Sequence, residues 1–196
     1  MAEQIVDGTG TGYKLKVDPN NRGHVFSVSE TIAEAAARQG DSYNINTGNI
    51  ILTSANKSSI LYLKNNGDVD LAILSIGFLM GNSTGGTGDV VVEVTKNPTA
   101  GTLISGALPV LIDENKNAGS SKSLNIDVFK GLEATTITNG TDWYYSTLAG
   151  SARAYVIATG SIIIPKGSSM SVSITPQTSN TSMNFSLFMS LIEDNF

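Results

Sequence analysis

The sequence predicts an all-β protein, a jelly-roll-like antiparallel β-sandwich with one short N-terminal helix and an extended N-terminal arm. Three observations carry this. Residues 169–175 alternate without a fault, placing Met170, Val172 and Ile174 on one face and serines on the other. Residues 182–192 repeat the pattern, with Met183, Phe185, Leu187, Met189 and Leu191 inward. Along the rest of the chain, apolar runs bounded by Gly, Asn or Pro bring the count to about nine strands beside a single helical segment, which describes a sandwich and not an α/β fold.

Taken in order, residues 1–24 read as an arm. Gly8, Gly10 and Gly12 precede a short alternating stretch in which Tyr13, Leu15 and Val17 share a face, before turn residues 19–23. Residues 30–39 form the one convincing helix, with Ser29 as N-cap, Glu30 and Glu34 early, Arg38 late and Gly40 as terminator. The expected domains are therefore 1–40, arm plus helix, and 41–196, the sandwich. Strands are expected over 43–53, 58–64, 69–78, 89–96, 102–112, 152–158 and 161–164, with a hairpin turn at Asn65-Asn66-Gly67-Asp68 and a polar loop over 113–123. Both faces of 69–80 are apolar, which fits a central strand covered on each side or a bulged strand that changes face. Phe188 and Ile192 interrupt the polar face of the last strand, so that face is expected to meet another surface.

The composition narrows the function. Charged residues are 15% of the 196-residue chain, while Ser, Thr, Asn and Gly abound; an average globular protein carries about 25% charge. Strand faces rich in hydroxyls and amides tolerate close packing against neighbours without burying charge. A net charge of −5 gives no basic patch, so nucleic acid is not an expected partner. No stretch approaches the roughly 18 apolar residues of a membrane helix and the start lacks a signal-peptide pattern, so the expectation is synthesis in the cytoplasm and no membrane partner. With no cysteine, neither disulfides nor thiolate chemistry is available.

No catalytic, cofactor or metal residues emerge. His24 is the sole histidine and lies in the arm, which removes multi-His zinc sites and leaves a surface or interface role. Gly85-Gly86-Thr87-Gly88 neither opens a helix nor precedes a Lys-Ser/Thr pair, so these are turn glycines and not a phosphate cradle. Asp113-Glu114-Asn115-Lys116-Asn117 begins like a calcium loop but reaches Leu124 where a bidentate Glu belongs. Asp68, Asp70, Asp89 and Glu93 are the carboxylates that a glycosidase pair would have to draw on. Asp142-Trp143-Tyr144-Tyr145 is the one aromatic concentration: it either anchors a loop or a subunit contact, or stacks on sugar.

Several segments carry a resemblance: Lys16-Val17-Asp18-Pro19-Asn20-Asn21-Arg22-Gly23-His24-Val25 with Ser27-Val28-Ser29-Glu30; Gly40-Asp41-Ser42-Tyr43-Asn44-Ile45-Asn46-Thr47-Gly48; Leu61-Tyr62-Leu63-Lys64-Asn65-Asn66; Ser83-Thr84-Gly85-Gly86-Thr87-Gly88; Asn97-Pro98-Thr99-Ala100-Gly101-Thr102; and Pro165-Lys166-Gly167-Ser168-Ser169. Over most of its length the chain resembles a family of virion structural proteins of tailed bacteriophages, of about this size. The resemblance implies a virion component and no enzyme, without fixing head or tail. The first expectation is a capsid decoration or cement protein, a homotrimer on the major capsid protein, with Tyr13, Leu15 and Val17 as arm contacts and Phe188 and Ile192 at interfaces. The alternative is a tail or baseplate protein whose Trp143, Tyr144 and Tyr145 form a platform for a host-surface glycan; a polysaccharide depolymerase is a third.

Overall fold

In the computed structural model the described residues are 31–86, 88–106, 108–149, 155–179 and 182–194, with side chains throughout except at 82–83 and 155–161. In chain order the elements are α1 (Ile32–Gln39), β1 (Ser42–Asn46), β2 (Ile50–Leu52), β3 (Ser58–Asn65), β4 (Leu71–Thr84), β5 (Val90–Lys96), β6 (Ala100–Gly101), β7 (Glu114–Asn115), β8 (Ile126–Lys130), β9 (Ile137–Thr138), β10 (Thr141–Leu148), β11 (Tyr155–Ile164), β12 (Ser169–Pro176) and β13 (Ser182–Glu193).

The long strands pair in a nested order, first with last. β1 pairs β13, β3 pairs β12, β4 pairs β11 and β5 pairs β10, all antiparallel. Successive partners fall in alternate sheets, and β13 also pairs β4 while β12 also pairs β5. The result is two sheets, β11-β4-β13-β1-β7, with β2 also on β13, and β10-β5-β12-β3-β8. This is the rolled-up hairpin of a jelly roll, as the alternation of the sequence predicts.

Period-two alternation places one face of each sheet inside. Tyr43, Ile45, Ile73, Ile76, Phe78, Phe185, Leu187, Met189 and Leu191 of the first sheet meet Leu61, Leu63, Val92, Val94, Val172 and Ile174 of the second in a single core. Phe78 and Phe185 pack with ring centroids 5.8 Å apart. Each such buried side chain contributes about 1.5–3 kcal/mol, so the inner faces hold the layers together without cross-links.

The two-sided apolarity of β4 has both of its proposed causes. A bulge at Leu74 breaks the register with β13, and below it Ala72 faces outward under the helix, where Ala36, Ala72 and Ile192 form a small second core. The helix ends as its sequence predicts: Gly40, at φ 78°, donates to Ala37 O and Asp41 donates to Ala36 O, a Schellman ending. Residues 1–30, including Ser29 and the arm residues Tyr13, Leu15, Val17 and His24, lie outside the described residues.

Four expectations need correction. Residues 43–53 are two strands, parted at Thr47, whose hydroxyl and N–H both bond to Leu187 backbone. Asn65-Asn66-Gly67-Asp68 is no hairpin but a crossing between sheets, held by Asn65 Nδ2 donating to Val69 O and Ile164 O. Residues 102–112 are mostly turn, because left-handed Gly106 and Pro109 break the run and Leu103 plugs inward; only Val110 bridges to Phe129. Strands β8 and β10 lie where no strand is expected, since edge strands carry weak alternation.

The segment between β5 and β10 is folded as an extra layer. Leu103 and Ile137 bury against Tyr62, with Ile104, Leu108 and Phe129 alongside, and the short β6–β9 ladder ties its two ends. Consequently the serine face of β12 is not solvated: Ser171 and Ser173 are fully buried, and Ser173 Oγ lies 2.8 Å from Ser59 Oγ.

Phe188 lies on the outer face of β13 over Gly77, and a Cβ built at Gly77 would stand 1.9 Å from its ring. Gly77→Ala should therefore cost about 1–3 kcal/mol by overpacking. Adding Phe188→Leu should restore most of the lost thermal stability, and no recovery in the double variant would show that the glycine serves the backbone instead.

Candidate functional site

The three aromatics expected to form one platform point three ways. Asp142 is pinned by a 2.8 Å hydrogen bond from Thr95 Oγ1, and a register shift follows it, so Trp143 is the bulged residue of edge strand β10. Tyr144 packs onto the core, opposite Val94, and Tyr145 stands on the outer face, opposite Glu93. Bulges re-aim side chains; here the bulge turns the indole, 45% exposed, into a groove between the edges of the two sheets. A shared stacking surface for Trp143, Tyr144 and Tyr145 is thus excluded by strand geometry.

The groove encloses about 360 Å³. Ile162, Ile164 and Met170, all buried, form its floor, half-exposed Ile163 and Trp143 its walls, and Lys96, Asn97, Ser168 and Ser169 its polar rim. Asn97 adopts a left-handed conformation, φ 47°, because its N–H bonds to Ser169 O at 2.8 Å while its Oδ1 accepts from Ser169 N at 3.0 Å. Lys96 forms no ion pair among the described residues. Lys96 is not singled out by sequence, and Asn97 only as the start of a segment that carries the resemblance, not as a site residue; the signal that could have found them is their place at the end of a strand whose alternation turns the Lys96 side chain toward the core.

Ile192, expected at an interface, is covered by α1 of its own chain, which accounts for an apolar residue on that face. Phe188 is half-buried over Gly77. Of the carboxylates a glycosidase pair would draw on, Asp68 and Asp70 both engage Lys166 near the start of β12, Glu93 pairs with Lys57 at mid-strand, and Asp89, whose backbone carbonyl accepts from Gln177 N, lies at the opposite end of β12. In the segment that begins like a calcium loop, Asp113 accepts from Leu124 N across the loop, while Asn115 accepts from Asn117 N and Asn117 from Gly119 N, closing two Asx turns. No group of three His, Cys, Asp or Glu that could hold a metal occurs among the described residues. Nor is any described helix long and apolar enough to cross a membrane.

The same segment fastens the helix end. Asn115 donates to Gly40 O, Asn117 to Arg38 O, and Lys122 pairs with nearly buried Asp41 at 2.6 Å. Glu193 abuts Asp41, and burial together with that like charge pushes its carboxyl above the usual range. Tyr43, buried beneath, is pushed up to about 12, chiefly by desolvation. Glu133 behaves oppositely: burial pushes it up, but hydrogen bonds from Thr53 N (2.5 Å), Ser54 N (2.6 Å) and Thr53 Oγ1 (2.8 Å) outweigh that and hold it below the ordinary range.

A second surface concerns the outer edge. Lys130 N donates to Pro109 O and Leu111 N to Val128 O, so residues 109–111 run antiparallel beside β8 and extend the second sheet. In that pairing the N–H and C=O of Val110 itself face away from β8. Val110 and Ile112 stand 69% and 75% exposed, and Leu132 is also exposed.

No family model matches the chain, and no curated protein matches it. Among solved structures it is similar to T=1 particles derived from infectious bursal virus, at 12% identity and TM-score 0.22 over 78% of this chain and 39% of that one. It is likewise similar to the VP2 subviral particle of infectious bursal disease virus, at 10% identity and TM-score 0.21 over 78% and 41%. The chain spans about two fifths of those proteins, and the fold stated here rests on its own strand order, independently of such scores.

Glu193 and Glu133 give opposite pH signatures. A raised Glu193 disfavours the folded state once charged, so its contribution is lost as pH rises through its folded pKa. Glu193→Gln should be more stable than the parent at pH 7, and the difference should vanish in acid. A depressed Glu133 contributes above the ordinary carboxylate range and loses that contribution as pH falls through its folded pKa. Glu133→Ala should cost about 1–3 kcal/mol at neutral pH and less near pH 3, read from urea midpoints at each pH.

Proposed function

We propose that this chain is a structural component of a bacteriophage virion, a decoration or cement protein that attaches to the major capsid protein of the head as a homotrimer and has no catalytic role. The observation that carries the reading is the open edge at 109–112. An exposed strand edge bearing Val110 and Ile112 is a liability in a free monomer and an asset where another chain covers it. The charge-poor composition supports the same reading, since hydroxyl and amide faces can be buried at low cost against neighbours. So does the likeness to tailed-phage virion proteins in the segments around Gly40, Leu61, Ser83, Asn97 and Pro165. Stabilisation then follows from mass action: a protein that binds only the assembled shell raises the free energy of taking it apart.

The three-aromatic platform pictured for the alternative station, a tail or baseplate protein binding a host-surface glycan, does not form, because Trp143, Tyr144 and Tyr145 face apart.

Val110→Asp with Ile112→Asp tests the edge. Both side chains are largely exposed, so the isolated fold should keep its stability to within about 0.5 kcal/mol. Light scattering should show the parent as a trimer, and the parent should sediment with heads stripped of the protein while the double variant stays in the supernatant. Equal attachment by both proteins would remove the edge from the account.

A further inference from the structure

We infer that the groove at Trp143 is a binding site for a carboxylate-bearing pyranose, the acidic sugar unit of a surface polysaccharide. This goes beyond the virion reading and does not depend on it.

The groove's volume of about 360 Å³ falls at the lower end of small-molecule sites, roughly 300–1,000 Å³. Its walls divide by chemistry. The apolar face of a sugar ring stacks on an indole, and Trp143 offers one held open from both sides: Asp142 is fixed by Thr95 and Tyr144 is packed in the core. With both chain neighbours anchored and the indole left half exposed, the backbone of Trp143 is already placed for stacking.

The rim supplies the polar half. Lys96 ends β5 between Thr141 of β10 and Met170 of β12, so its ammonium stands at the mouth of an apolar floor without an acidic partner among the described residues. A carboxylate there gains a charge-assisted bond that a neutral sugar lacks. Asn97 has its N–H and Oδ1 committed to Ser169, which fixes the side chain and leaves its Nδ2 for a ring hydroxyl. Recognition thus combines a stacking plane, one cation and one oriented amide in a single concavity.

The chain contains one tryptophan, so emission excited selectively from tryptophan, and not from its six tyrosines, reports on this groove. Titration of the full chain at constant ionic strength with D-glucuronate and N-acetylneuraminate should give saturable changes in emission. D-glucose should bind about tenfold more weakly or worse. Lys96→Gln should remove the preference for the acid form, bringing glucuronate affinity down to that of glucose. For Trp143→Ala, calorimetry should detect no sugar binding; Trp143→Phe, which keeps an aromatic face if the alanine variant unfolds, should retain part of it. Absence of a saturable response to both acidic sugars, equal affinity for glucose, an intact preference in Lys96→Gln, or hexanoate binding as well as glucuronate would each overturn the proposal.

Discussion

Everything in this molecule depends on β13 entering between β4 and β1. The nested pairing cannot close earlier: each inner strand pair leaves one apolar face open until the last strand, carrying Phe185, Leu187, Met189 and Leu191, fills the middle of the first sheet. The core therefore joins residues from opposite ends of the described chain, and its formation carries the loop-closure entropy of distant segments. Once closed, the inner faces are occupied, and only the outer faces, the strand edges and the segment between β5 and β10 remain for any other task.

That segment performs two internal ones. It covers the outer face of the second sheet through Leu103, Ile137 and Phe129, and it holds the end of α1 through Asn115, Asn117 and Lys122. Its remaining edge, at Val110 and Ile112, stays exposed among the described residues. Within the unit from Ile32 onward, Ile112 and Val110 of this insertion are the most exposed large apolar side chains among the described residues, ahead of Tyr145 on β10.

The sandwich was legible because strands buried on one face must alternate, and β12 and β13 do so almost without interruption. Gly40 was legible because only a residue tolerant of left-handed φ ends the helix there. Other features were hidden for physical reasons. Edge strand β10 pairs on one side only and turns its alternation at a bulge, so Thr141–Leu148 reads as loop. The burial of Ser171 and Ser173 depends on a layer brought from elsewhere in the chain, which no local period reports. Ile192 looked like an interface residue because its cover, Ala36, lies far away in sequence. The groove escaped for the same reason: Lys96, Trp143 and Ile163 meet only across two sheets.

We propose that the jelly roll is a particle component whose insertion edge faces another chain. A reconstruction of the native virion at side-chain resolution tests it most directly. The prediction is this fold on the head surface in threefold groups, with residues 109–112 against a neighbouring chain. A particle without the protein, or one in which that edge points to solvent, contradicts it.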